Sequence, residues 1–325
     1  MNRFNALLAF SLIAAIVLSL LLGSVALPLN RVLGALAFQG TAGDQLVVWD
    51  IRLPRSLAAA LVGAALGMSG AALQGLLRNP LAEPGILGVS ATAALFASFV
   101  LYYGLTAATP FVLPIAAVVG ALVATGLVAA AALKNQSVVT LILIGVGLSS
   151  FAGALMALLM NLAPNPFTLA DLVNWTLGSV ANRSLDDLWL SAPLAAVGMS
   201  ILLASRRGLA ALGLGEETAA GLGVDLKKQR LAVIIGAGLA TGAAVALAGA
   251  IGFVGIVAPH LVRPFVRYDA SRLLVPSALL GALLLVLADI GVRIIPTDFE
   301  LKLGVVAALI GAPIFIWIAS KRRLA

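Results

Sequence analysis

Long apolar runs separated by short polar segments dominate the chain. A helix that crosses a bilayer needs about 20 mostly apolar residues. Ten segments reach or approach that length: Asn5–Leu27, Ser56–Leu76, Gly85–Tyr103, Pro110–Leu133, Val138–Leu162, Leu188–Ala204, Leu231–Ala248, Ile251–Val266, Leu273–Ile295 and Gly304–Ala319. The eighth is short and contains Pro259, so we expect it to be broken or tilted. The pattern predicts an all-α polytopic membrane protein with one transmembrane domain over residues 1–325.

The composition supports this fold class and excludes several chemistries. The chain is 62% hydrophobic and 10% charged, with a mean hydropathy of +1.13, whereas soluble domains carry about 25% charged residues. With no cysteine and one histidine, disulfides, thiolate metal sites and histidine clusters within one chain are excluded. The net charge of +7 comes from residues scattered at helix ends, which is typical of membrane orientation and not of nucleic-acid binding.

The distribution of Lys and Arg predicts the orientation. With the N-terminus inside, 14 of the 20 basic residues lie on the inner side, so both termini are predicted to be cytoplasmic. Residues 24–26 resemble a signal cleavage site, but the preceding apolar run is longer than a signal core, and we interpret it as the first helix. The outer set is Arg31, Arg52, Arg55, Arg183, Arg293 and Lys302.

A weak internal similarity favours an inverted repeat. Gly63–Leu66 and Ser69–Ala72 in the second predicted helix resemble Gly236–Leu239 and Thr241–Ala244 in the seventh. These two helices run in opposite directions across the membrane, as the halves of many transporters do.

The only long polar interruption lies on the inner side, at residues 207–227, here named the coupling loop. Glu216 and Glu217 are expected to open a short helix, where acidic residues suit the positive N-terminus. Gly221 or Gly223 is expected to end it in a left-handed cap. Two interpretations stay open at this point: a docking element for a soluble motor, or an amphipathic linker on the membrane surface.

Several charged residues in the apolar segments are further candidates. Arg52 and Arg55 flank Pro54 on the outer side, where they could pair with carboxylates of a partner or lie at the interface with Asp50 as counterion. Asp289 and Arg293 are spaced i, i+4, and we expect them to pair. For His260 we expect a hydrogen bond to loop backbone.

Two other function classes, an intramembrane serine protease and an ion-coupled secondary transporter, have candidate residues in the chain. Gly67–Gly70 contains the GxSG pattern of intramembrane serine proteases, with Ser69 and His260 as a conceivable dyad. Gly63, Gly67 and Ala71 explain the same segment as a small-residue packing ridge, which we favour. An ion-coupled secondary transporter would need membrane-embedded carboxylates, for which Asp289 is the candidate.

Taken together, the motifs resemble the permease subunits of type II ABC importers for iron–siderophores, haem and vitamin B12. The order and spacing of the motifs carry this resemblance over nearly the whole chain. The matching segments are Arg52–Arg55, Ser69–Gln74, Arg78–Pro84, Leu87–Ser90, Leu214–Glu217 with Ala219 and Leu222–Gly223, Gly252–Gly255, Pro259–His260 with Arg263, and Gly311–Pro313 with Phe315.

The resemblance implies a permease without catalytic residues, metal or cofactor of its own, in the bacterial inner membrane. Its expected partners are a second copy of the chain, two cytoplasmic ATPase subunits that bind ATP and magnesium, and a periplasmic binding protein. The implied substrate is a bulky metal chelate, first a ferric siderophore, with cobalamin or haem as alternatives. The implied site residues are Leu212, Gly213, Leu214, Gly215, Glu216, Glu217, Ala219, Ala220, Leu222 and Gly223 for ATPase coupling, Arg52, Arg55 and Arg293 for docking the binding protein, and Ser137, Val138, Val139 and Thr140 for the inner gate.

The sequence departs from the family pattern at two places. Lys302 stands where proline is common before the last helix, and Ala91–Ala93 replaces a Gly-Ala pair. The first departure changes the outer loop, and the second changes helix packing.

Overall fold

The structure of the chain is a computed structural model that describes residues 2–23, 26–107, 109, 111–134, 137–295 and 300–321. Residues 24, 25 and 110, which belong to two of the predicted spans, lie outside the described residues. The helices are α1 Asn2–Leu21, α2 Leu29–Leu36, α3 Ala42–Gln45, α4 Leu53–Leu76, α5 Val89–Tyr102, α6 Val112–Leu133, α7 Val138–Asn161, α8 Pro166–Leu177, α9 Leu185–Ala204, α10 Arg206–Leu212, α11 Glu216–Gly221, α12 Leu226–Ala248, α13 Val254–Val262, α14 Ala270–Ile294 and α15 Leu303–Lys321.

The all-helical prediction is confirmed. In the described part of the chain, seven helical segments are long and apolar enough to cross a membrane: α1, the continuous stretch Ala42–Leu76, α6, α7, α9, α12 and α14. Three shorter apolar helices, α5, α13 and α15, complete the ten predicted spans. A π-helical stretch, Leu46–Arg52, joins α3 to α4, so the second span begins well before the predicted Ser56.

The core lies around α4 and α12, whose residues are mostly buried, whereas few residues of α7 are buried. Glycine makes this core possible. A Cβ on Gly63 would lie 2.2 Å from the Gly281 carbonyl oxygen of α14, and one on Gly242 would lie 2.5 Å from Ala121 Cβ of α6. Small residues thus let α4 contact α14, and α12 contact α6, at backbone distance.

These contacts agree with the predicted inverted repeat. The second span packs on the ninth, and the seventh packs on the fourth, which are equivalent pairs if the chain is divided into two five-helix halves. The two glycine-rich segments that resemble each other in sequence therefore occupy equivalent positions in the packing.

Side-chain caps define where several helices begin. Ser184 and Asp187 form a reciprocal capping box at α9, with Asp187 N donating to Ser184 Oγ at 3.2 Å and Ser184 N donating to Asp187 Oδ2 at 2.9 Å. Asp225 caps α12 by accepting from Lys228 N at 3.0 Å. This hydrogen bond is the largest of the effects that lower the pKa of the Asp225 carboxyl.

Two irregular connections meet beside α4. One is the segment from Leu77 to Gly88, with a 3₁₀ turn at Pro84–Leu87, and the other is Gly249–Phe253 before α13. Gln74 Nε2 of α4 donates to the carbonyl oxygens of Ala82 and Gly255, each at 3.3 Å. Gln74 therefore ties the first connection to α4, together with the first turn of α13, which directly follows the second connection.

Candidate functional site: the inner coupling loop and the outer arginine cluster

The coupling loop folds into two short helices, α10 and α11, on the inner side. In α10, Leu209 and Leu212 are fully or almost fully buried against the bundle. Leu214 and Leu222, by contrast, are 66% and 65% exposed. One set of leucines thus anchors the loop to the bundle, while the other stays uncovered on the inner surface.

The ends of α11 follow the sequence prediction. The helix spans Glu216–Gly221, and Gly223 has a left-handed φ of 86°. Gly223 N donates to Ala220 O at 2.9 Å and Val224 N donates to Ala219 O at 3.0 Å. This is the hydrogen-bond pattern of a Schellman motif, which requires the left-handed residue that glycine supplies at low cost.

A salt bridge connects α11 to the long helix α12. Arg230 Nη2 donates to both carboxylate oxygens of Glu216, at 2.7 and 2.8 Å. The Arg230 side chain is 13% exposed and that of Glu216 is 39% exposed. The salt bridge therefore links α11 to a helix that continues through the core.

The other short helix of the loop, α10, is tied to α12 as well. Gln229 Nε2 donates to Ser205 O at 2.9 Å, and a Cβ on Gly208 would lie 2.1 Å from Gln229 Oε1. Both halves of the coupling loop are therefore held by adjacent residues of α12, and the loop is an ordered elbow with polar attachments to the bundle.

The three outer arginines lie inside the protein, where we had expected guanidinium groups that face outward. Arg52 Nη1 donates to Leu20 O at 2.6 Å and Leu21 O at 3.0 Å. Arg293 Nη1 donates to Ser19 O at 3.2 Å. The physical reason is that the end of α1 offers backbone carbonyl oxygens without helical partners, and these accept the arginine protons.

Two acidic residues form ion pairs with two of these arginines, Arg55 and Arg293. Arg55 Nε donates to Asp289 Oδ1 at 2.8 Å, and Arg55 also pairs with Glu300. Arg293 Nε lies 3.1 Å from Asp289 Oδ2, so the predicted pairing of Asp289 with Arg293 is confirmed. The sequence had not suggested that Asp289 is shared with Arg55, which lies 234 positions earlier. Whether the three arginines dock a binding protein stays a prediction.

The predicted inner-gate residues form the first turn of α7. Ser137 Oγ accepts from Thr140 N at 3.2 Å and lies 3.1 Å from Thr140 Oγ1. Val139 is 64% exposed. The arrangement is a capped helix start with an uncovered apolar side chain, and its role as a gate stays a prediction.

Sequence reasoning missed Glu83. Its Oε2 accepts from Phe253 N at 3.3 Å, which places the carboxylate at the start of α13. Burial raises the pKa of the Glu83 carboxyl, and the hydrogen bond from Phe253 N opposes that shift. The signal was an acidic residue between two prolines, Pro80 and Pro84, in a mostly apolar connection. Besides Asp289, Glu83 is thus a second acidic side chain that packs within the bundle.

The protease alternative finds no support in the geometry. Ser69 is fully buried, and its hydroxyl has no hydrogen-bond partner among the described residues. A Cβ on the neighbouring Gly70 would lie 1.9 Å from Gly255 O. Ser69 thus sits in a tight helix contact, as the packing interpretation expects.

An all-helical bundle with about ten spans and a rigid cytoplasmic elbow defines a membrane transport permease. Comparison with known families makes the assignment specific: the FecCD transport family matches residues 11–321. The chain belongs to this family, as the sequence resemblance had indicated.

Individual relatives agree with the family assignment. An uncharacterized ABC transporter permease protein, YvrB of Bacillus subtilis, is 40% identical over 337 aligned positions, covering 99% of this chain and 95% of the relative. The vitamin B12 import system permease protein BtuC of Vibrio cholerae is 44% identical, covering 84% of this chain and 82% of the relative. A solved structure of a metal-chelate type ABC transporter in an inward-facing conformation matches with a TM-score of 0.89 and 32% identity, covering 99% of this chain and 100% of the other.

Proposed function

We propose that the chain is the permease of an ABC importer that moves a bulky metal chelate from the periplasm across the bacterial inner membrane into the cytoplasm. The single observation that carries this proposal is the coupling loop. It combines two exposed leucines with a bidentate salt bridge into the bundle. Membership of a family of transport permeases supports the transport function, and the loop is the part of the chain that a motor subunit could move.

The loop is the docking element for the ATPase. In each copy of the permease, residues Leu212–Gly223 occupy a groove on one of the two ATPase subunits, which covers Leu214 and Leu222. ATP binding and hydrolysis in those subunits move α11, and Arg230 passes the movement to α12. Coupling requires that the two pathway states differ in their contacts with the motor, and this loop is where such a difference acts.

A second copy of the chain completes the translocation pathway. The exposed apolar side chains of α7, α8 and α15 support this assignment: Val139, Phe151, Phe167, Leu309 and Ile316 are each more than 60% exposed. Some of these side chains face lipid and others face the second copy. Ser137–Thr140, at the start of α7, then form the inner gate of the pathway.

Docking of the binding protein at the arginine cluster needs an exchange of partners. Glu300 is the accessible acid of the cluster, with 41% of its side chain exposed, and it pairs with Arg55. A carboxylate on the binding protein takes the place of Glu300 on the Arg55 guanidinium, which presents a fork suited to carboxylates.

Cobalamin is the first substrate to test, because several similar relatives are named vitamin B12 import permeases. A ferric siderophore, our first expectation from the sequence, and haem follow. The family shares one architecture among these chelates, and the binding protein supplies much of the selectivity.

The test uses the chain co-purified with its ATPase and binding protein and reconstituted in liposomes. The binding protein is loaded in turn with cobalamin, a ferric siderophore and haem. We expect one chelate to stimulate ATP hydrolysis and to accumulate inside. Accumulation with no dependence on nucleotide, or no stable ATPase partner, would contradict the proposal.

A further inference from the structure

A cavity of about 350 Å³ lies on the outer side of the bundle. It is bounded by α8, by the connection from α8 to α9, and by the residue before α15. The polar residues of the lining are Asp171, Asn174, Trp175, Ser179, Asn182, Arg183 and Lys302. Such a concentration of polar groups is unusual in a chain with 10% charged residues.

Two buried donors in this lining have no acceptor among the described residues. They are Arg183 Nε and Trp175 Nε1. Buried donors are normally paired, because leaving one unpaired costs free energy. Two such donors, on residues that line one cavity, point to an acceptor at this place.

The charge of the lining is positive. Arg183 and Lys302 contribute two cations, and Asp171 contributes one acid. Asp187 acts on Arg183 electrostatically, but its carboxylate is engaged in the capping box of α9 with Ser184. The cavity therefore presents N–H donors and an excess of positive charge.

Lys302 is the residue that departs from the family pattern, and its position is well defined. Lys302 O accepts from Val305 N at 3.0 Å and from Val306 N at 3.2 Å, so the residue opens the first turn of α15. Gly304 N donates to Gly178 O at 3.1 Å. The turn of α15 is thus fixed to the Gly178 turn after α8, which holds Lys302 at the rim of the cavity.

We propose that this cavity binds an oxyanion, a carboxylate or phosphate group carried by the transported chelate, with Arg183, Trp175 and Lys302 as donors. An oxyanion accepts several hydrogen bonds at once and balances both cations. The position on the outer side makes it an entry subsite for substrate. The oxyanion assignment stands on the cavity, and its link to a transported chelate rests on the proposed function.

The first test measures binding directly, with inorganic phosphate and citrate as probes. In the full chain with Trp49, Trp189 and Trp317 replaced by Phe, the fluorescence of Trp175 reports the cavity. We expect a saturable change, weakened about tenfold or more by Arg183→Gln and by Lys302→Met, since each removes a charge-assisted hydrogen bond.

Matched variants keep this test independent of misfolding. Lys302→Arg retains the charge and should restore binding, and Asp171→Asn removes the acid and should tighten it. Arg31→Gln removes an outer cation that pairs with Asp44 and should change nothing. The absence of a saturable change, or equal affinity in Arg183→Gln and the parent, would overturn the proposal.

The second test identifies the source of the oxyanion. In the reconstituted importer, uptake is compared for chelates with and without the anionic group: a corrinoid with or without its nucleotide-loop phosphate, and ferric complexes with or without free carboxylates. We expect Lys302→Met to raise the apparent KM about tenfold for the anionic member alone. Equal effects on both members would refute the substrate link. If the importer takes up neither member of a pair although the cavity still binds phosphate, the result would instead count against the proposed function.

Discussion

Gly70 shows how a single missing side chain permits the fold. At Gly70, α4 contacts Gly255 of α13. A Cβ on Gly70 would lie 1.9 Å from the Gly255 carbonyl oxygen. Because that oxygen belongs to the backbone, it cannot move aside as a flexible side chain could. We expect Gly70→Ala to destabilise the protein by about 1–3 kcal/mol through overpacking. The measurement is the unfolding temperature of the purified protein in detergent.

Gly126 of α6 is the matched control, because a Cβ there meets nothing within 4 Å. In a helix, alanine is favoured over glycine by about 0.5–1 kcal/mol, so Gly126→Ala should leave the unfolding temperature unchanged or raise it. Equal effects at both positions would mean that α4 and α13 do not make the close contact described here.

Asp289 is the residue on which the outer cluster depends. It is 1% exposed and lies between Arg55 and Arg293. Removing the acid leaves two buried guanidinium groups without their shared partner, so Asp289→Asn should cost about 3–5 kcal/mol. The same unfolding measurement checks this, with the exposed Asp50→Asn as the control that should have little effect.

Glu300 is the accessible partner of the same cluster, and its removal tests the docking proposal. If a carboxylate of the binding protein replaces Glu300 on Arg55, Glu300→Gln frees the guanidinium and should tighten binding a few-fold, on the scale of about 0.5–1 kcal/mol for a partly exposed pair. Surface plasmon resonance with the binding protein measures the change. Weaker binding would indicate that Glu300 itself contributes to the docking surface.

At the scale of the helices, much could be predicted from the sequence. Each predicted apolar run contains a helix, and seven of the helical segments are long enough to cross a membrane, because hydropathy reports directly on burial in lipid. The limits of α11 and its glycine cap followed from local residues alone. The π-helical stretch before α4 and the outer helix α8 were not predicted, since their conformation depends on contacts with distant parts of the chain.

The salt bridge between Glu216 of α11 and Arg230 of α12 allows a test of the coupling loop. Because the Glu216 side chain is 39% exposed, the pair contributes about 1 kcal/mol or less to stability, yet it is a direct charged link from α11 to α12. We expect Arg230→Gln to lower uptake several-fold while ATP hydrolysis by the assembled complex continues. The ratio of molecules transported to ATP hydrolysed measures this uncoupling.

A charge exchange provides the control for this experiment. Glu216→Arg combined with Arg230→Glu restores opposite charges at the same positions and should recover part of the transport ratio. Lys228→Gln removes a neighbouring, exposed charge whose partner is Asp225, and it should leave the ratio unchanged. A parallel fall in uptake and hydrolysis in Arg230→Gln would indicate lost assembly and would count against the link.

At the scale of the whole molecule, the two candidate sites differ in how far the sequence revealed them. The coupling loop is contiguous, so its residues could be identified together. The outer cluster joins Arg55 to Asp289 and Glu300, 234 and 245 positions apart, and no local pattern encodes such pairs. The oxyanion cavity likewise combines α8 with Lys302, which the sequence showed only as a departure from a family motif.

The central claim is that a separate ATPase drives this permease through its coupling loop. The most direct measurement is uptake of the loaded chelate into liposomes that contain the full complex, with ATP sealed inside and an ionophore abolishing the proton gradient. We expect uptake to persist with the ionophore, to stop without ATP, and to stop when residues 216–221 are replaced by a flexible Gly/Ser linker. Uptake that requires the gradient, or that survives the linker replacement, would contradict it.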